Sequence, residues 1–169
     1  MSYDRNSRLW TNEEENFFRN KKIFPQIQEG SHCVSTTLAI LTGEKPEYFQ
    51  KVINTQDPVS WSEALKPFGM RLAYCPFDVR KIKWYIDELI SYDDLFLLSY
   101  YSRRCNGERI LSDPNTEGWI CGSHIVTLHR DKIIDSKIGK AVDAKEHESM
   151  EAHTKRIFRV VPVDHERGI

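Results

Sequence analysis

Apolar residues recur along this chain at two different spacings, and the change from one to the other falls near Asp94. Before it the spacing is mostly helical. Val34, Leu38 and Leu41 share one side of a helix that starts after Ser31, a good N-cap, and stops at Gly43, where a positive φ is needed. Ahead of it, Thr11-Asn12-Glu13-Glu14 reads as a capping box before Phe17 and Phe18, predicting a short helix that ends near Lys21. Pro46 suits a first helical turn, with Phe49, Val52 and Ile53 as the apolar side of that helix. Ser60-Trp61-Ser62-Glu63 is a second capping box, and Pro67 and Gly69 end the helix it opens. Residues 70–75 alternate as a strand does, and Asp78 opens a long amphipathic helix with Val79, Ile82, Ile86, Leu89 and Ile90 on one face.

After Asp94 the pattern is that of strands. Residues 95–101 are a nearly continuous apolar and aromatic run, short enough for a central strand. Ser102 to Trp119 is rich in Gly, Pro, Asn, Asp and Ser and reads as a long loop. Ser123 to Leu128, Lys132 to Ser136 and Arg156 to Val163 complete the strands, with a helical turn or polar loop at Lys145 to His153. No repeat is visible. The expectation is α+β: one domain, residues 1–169, with N-terminal helices packed on a mostly antiparallel sheet.

Composition narrows the function. The 24 basic and 25 acidic residues give a net charge of -1, which predicts neither a nucleic-acid footprint nor a membrane patch. The first ten residues hold no apolar run, so no signal peptide is expected. Four scattered cysteines, Cys33, Cys75, Cys105 and Cys121, do not form the framework of a small disulfide-rich domain. A reducing, cytoplasmic setting follows, a host cytosol included.

One of these cysteines carries chemistry. A lone cysteine is most often a small buried apolar residue. Cys33, however, falls in the first turn of its helix, where unpaired N–H groups and the helix dipole favour thiolate. A thiol nucleophile needs a base, a group that orients the base, and donors for the oxyanion. His124 heads a strand, Asp135 lies on the next, and Gln28 precedes Cys33 in a loop from which its amide can point back. With a hairpin loop of two residues, Arg130-Asp131, or of four, His129 to Lys132, Val126 lies opposite Asp135, and His124 and Asp135 share a face as diagonal neighbours. An odd loop would separate them. Arg130-Asp131 is not a favoured two-residue turn, so the four-residue loop is expected.

The run Gln28-Glu29-Gly30-Ser31-His32-Cys33 resembles the nucleophile loop of Josephin-type deubiquitinases. Cysteine helix, strand-borne His and strand-borne Asp-Ser, in that order over residues 24–136, resemble the wider papain-like cysteine peptidases, the C39-like group among them. The chain departs from papain itself in lacking Cys-Gly-Ser-Cys-Trp. The resemblance implies a papain-like fold and a hydrolase that needs no cofactor, a thiol peptidase or isopeptidase. It implies Cys33 as nucleophile, His124 as base, Asp135 as its orienting residue, and Gln28 with the Cys33 N–H as oxyanion donors. Its partner would be a peptide or protein substrate, a ubiquitin-like one included. The same residues also fit an acyltransferase or transglutaminase-like enzyme. A third reading is a non-catalytic binding protein, either a degenerate relative of these enzymes or one held by zinc on Cys105, Cys121, His124 and His129, and the spacing argues against the zinc.

Overall fold

The computed structural model describes residues 9–10, 16–78, 80–101 and 122–169. Its centre is a six-stranded sheet whose neighbours all pair antiparallel, in the order β1-β6-β2-β3-β4-β5. The strands are β1 (Met70–Tyr74), β2 (Leu95–Tyr101), β3 (Ser123–His129), β4 (Lys132–Asp135), β5 (Lys140–Asp143) and β6 (Thr154–Pro162). The helices are α1 (Cys33–Thr42), α2 (Pro46–Gln50), α3 (Pro58–Leu65) and α4 (Ile86–Ser91). The chain is therefore α+β, and among the described residues no helix is long and apolar enough to cross a membrane.

Alternation along β2 splits the core in two. Leu95 and Leu97 face a cluster built with α1, α2 and α3, through Leu38, Leu41, Phe49, Trp61 and Leu65. Phe96, Leu98 and Tyr100 face a second cluster with Ile82, Ile86, Leu89 and Met150. Both faces of β2 are covered, which is why its sequence is a continuous apolar run rather than an alternating one.

Several local expectations meet competing interactions. Of the opening helix, the Thr11–Glu14 box lies outside the described residues, and Asn16 to Lys21 form bends and a turn. There the N–H groups of Phe17 and Phe18 donate to the Asp94 carboxylate at 3.0 and 2.7 Å instead of continuing a helix. α3 starts earlier than the Ser60 box, because Asp57 accepts from Val59 N at 3.1 Å and Pro58 occupies the first turn. The long helix from Asp78 is broken. Asp78 turns back to accept from Arg80 N, Lys81 bridges to His153, and Ile82 N donates to Ala152 O, leaving a 3₁₀ turn at Ile82–Trp84 and the short α4. Tertiary pairing of that backbone outweighs its helical period, though Ile82, Ile86 and Leu89 still point inward. β5 was absent from the pattern, being exposed or half-exposed throughout.

The β3–β4 hairpin closes with His129↔Lys132 paired, so the loop is the two-residue Arg130-Asp131 and not the four-residue one. Arg130 takes a φ of 61°, the left-handed conformation such a turn demands, and its guanidinium is tied to Asp93 at 2.8 Å. Both loops have the same parity, so the facing of His124 and Asp135 is unaffected.

Candidate active site

The β3–β4 ladder ends at Thr127↔Ile134. Continued alternation would join Ile125 and Ser136 next. That rung is replaced: Thr37 Oγ1 of α1 donates to Ile125 O at 3.5 Å, and Gln28 N donates to Ser136 O at 2.7 Å. The middle of α1 and the Gln28 loop thus occupy the place where the two strands part.

His124 and Asp135 lie on the two sides of this gap. The His124 Nε2–H donates to Asp135 Oδ1 at 2.7 Å, and both side chains are almost wholly buried. Cys33 lines the same crevice as His124 and acts on its ring electrostatically. Burial by itself would lower the His124 pKa; the bond to Asp135 and the influence of Cys33 overcome it and raise it to about 10. For Asp135 burial also opposes charge, yet donation from His124 and His147 holds its carboxyl well below the usual range.

His147 is the member the sequence did not disclose. Its Nε2–H donates to Asp135 Oδ2 at 2.8 Å, while its Nδ1 accepts from the Ser149 hydroxyl at 2.8 Å and the Ser149 N–H at 3.1 Å. The backbone N–H can only donate, so it fixes the tautomer that presents N–H to Asp135. With Lys137 N donating to Oδ1 at 2.9 Å, the carboxylate accepts from three partners. His147 lies between two 3₁₀ turns, Ala144–Glu146 and Glu148–Glu151, in the stretch read as a helical turn or polar loop. The polar run His147-Glu148-Ser149 was its only mark, and nothing local ties that run to Asp135.

Tyr100, paired with His124 across β2 and β3, stands edge-on to the His124 ring at 5.7 Å and to the His147 ring at 6.4 Å. Its buried hydroxyl has no hydrogen-bond partner among the described residues. Burial, aided by the charge of Asp135, pushes its pKa well above the usual tyrosine range, so it stays neutral.

Around Cys33 the turn differs from the expected cap. His32, not Ser31, precedes α1, with φ -83° and ψ 54° and no side-chain cap. This is an inverse γ-turn, closed by Cys33 N donating to Ser31 O at 3.0 Å. The Cys33 N–H assigned to an oxyanion is thus bonded within the loop. Gln28 is anchored just beyond β4: Ser136 Oγ donates to its Oε1 at 2.7 Å, while its Nε2 donates to Gly30 O at 2.9 Å. That amide carries a second hydrogen. Gly30, at φ 57°, supplies the turn that brings these groups together, and Gly43 ends α1 at φ 82° as predicted.

Cys33 is 1% exposed, beneath a crevice of about 10 Å³, roughly one water, whose lining includes Trp61, Ser99, Ser123, His124 and Arg156. Cys75 is buried in the core as its strand position implied, and burial pushes its thiol up to about 12. Cys105, Cys121 and Trp119, with the whole Ser102 to Trp119 loop, lie outside the described residues. His129 faces elsewhere, donating to Phe18 O and Arg19 O at 3.1 and 2.9 Å, so it does not converge with His124. Among the described residues no group of three or more His, Cys, Asp or Glu side chains is placed to hold a metal.

No family model matches the chain, and no curated protein matches it either.

Proposed function

We propose that this chain is a papain-like thiol peptidase or isopeptidase working through an acyl-enzyme on Cys33. The observation that carries this reading is the buried His124, hydrogen-bonded to Asp135 and lining the same crevice as Cys33. A general base held in one tautomer against a helix-terminal thiol is the arrangement that nucleophilic thiol catalysis requires.

In this mechanism the Cys33 proton resides on His124 Nδ1 and the sulfur attacks the substrate carbonyl. The oxyanion is received by the second Gln28 amide hydrogen and by the Cys33 N–H, once the latter exchanges Ser31 O for it. His124 returns its proton to the leaving amine, which departs, and the C–N bond gives way to a thioester. Water then attacks with His124 as base, releasing the acid and restoring the thiol. Asp135 stabilises the imidazolium throughout, and the walls of the crevice part to admit substrate.

Acyl transfer is the second reading, favoured by the enclosure of Cys33. The test is mass mapping of Cys33 after exposure to carbonyl-directed peptide probes, ubiquitin-derived ones included. Adduct on Cys33, absent in Cys33→Ala and His124→Ala, is expected; labelling that ignores His124 would sink the reading. Product partition with added amine then separates the two, and a mainly amide product would replace hydrolase with transferase.

A further inference from the structure

Among the described residues that line the Cys33 crevice, those with a fixed charge are all basic. Lys155 and Arg156 line it, and none of its described lining residues is acidic. The sheet explains why two successive cations meet there. β2 and β6 pair Ser99↔Arg156 and then Tyr100↔Thr154, leaving Lys155 as an extra residue on β6. Regular alternation would send Lys155 and Arg156 to opposite faces; the bulge breaks that alternation and both reach the crevice.

Ile125, Ser99 and Arg156 form a row across β3, β2 and β6, on the face that carries α1. With strands about 4.8 Å apart, the Arg156 backbone stands roughly 10 Å from Ile125. The short Ser99 lies between them, and Cys33, Ser99 and Arg156 all line the crevice. Elsewhere Arg19, Arg80, Arg130 and Arg159 each meet an aspartate. The half-buried Arg156 pairs with no carboxylate among the described residues.

We propose that Arg156 binds a substrate carboxylate beside the scissile amide, which makes acidic peptides the substrate class. This rests on Cys33 being the nucleophile. A guanidinium fork matches a carboxylate with two parallel hydrogen bonds.

The experiment compares Cys33 alkylation by peptide chloromethyl ketones that carry Glu, Gln or Lys next to the ketone. Glu should react about tenfold or more faster than its isostere Gln, the discrimination expected of one charge-assisted pair. Arg156→Gln should abolish that preference, and Arg156→Glu should turn it towards Lys, a gain that misfolding does not produce. Protection of Cys33 by N-acetylglutamic α-amide or by N-acetylglutamine distinguishes a side-chain carboxylate from a chain-terminal one; either supports the site. Equal rates for the three probes, or a Glu preference that survives in Arg156→Gln, overturn the subsite and leave the nucleophile standing. No alkylation of Cys33 by any probe overturns both.

Discussion

Asp94 and Asp135 are both buried carboxylates that accept several hydrogen bonds, yet their partners differ in kind. Asp94 is 0% exposed and receives Arg159 at 2.6 Å together with the Phe17 and Phe18 N–H groups. Arg159 in turn lies between the rings of Trp10, Phe17, Tyr92 and Phe96. A guanidinium does not give up its proton in a protein, so this pair can only hold things together. It clasps the N-terminal segment onto the sheet. Asp135 receives two imidazoles, groups that can give up a proton where a guanidinium cannot, and one of them lines the crevice beside the Cys33 thiol. Burial and hydrogen bonding are common to both carboxylates; the difference is that only the partners of Asp135 can exchange a proton.

The comparison predicts opposite failures for the two aspartates. Asp135→Ala should slow acylation of Cys33 by about four orders of magnitude, the scale seen when the orienting carboxylate of a triad is lost. Stopped-flow labelling would check it, and a loss under tenfold would mean another group orients His124. Asp94→Ala should instead cost about 3–5 kcal/mol of stability by stranding a buried charge, while the folded fraction keeps its Cys33 reactivity. Urea unfolding measures the first and labelling the second.

Gln28→Ala sharpens the contrast within the site. As an oxyanion donor it should lower the rate about 10²–10³-fold with little change in substrate affinity. A change confined to KM would remove it from that role. His147→Phe should have a smaller effect, about tenfold, because Asp135 keeps two of its three donors. His147→Gln, which can still present an N–H, should recover most of the loss; a rate equally low in both variants would point to packing rather than donation.

The smallest effect separates the two regions by pH. The folded His124 pKa is about 10, above its unfolded value of about 6.5. Its charge therefore contributes stability that is fully present below about 6.5 and is lost as pH rises through about 10. Asp135 has the opposite sense: its contribution is present above the ordinary carboxylate range and is lost as pH falls through its depressed folded value. Urea unfolding from pH 6 to 10 should show the alkaline decline in wild type and a weaker one in His124→Phe. Equal slopes would place that proton elsewhere.

The sequence by itself determined whatever depends on local spacing and parity. Gly43 and the 3.6 period defined α1 with Cys33 in its first turn. Any even hairpin loop puts His124 and Asp135 on one face, so their pairing was legible although the loop length was not. Tertiary structure decided which distant groups close on those positions. His147 reaches Asp135 only because β5 folds back along β4, and an exposed four-residue strand carries no apolar alternation to announce itself. The broken helix after Asp78 has the same origin, since the backbone at Arg80–Ile82 finds partners at Ala152–Thr154 that no local window contains. So does the Lys155 bulge, which depends on how β6 registers against β2. Periodicity encodes the face a residue takes within its own element. The neighbour it meets there depends on a sheet order that each strand's own sequence leaves open, and the pairing energy of the assembled sheet selects it.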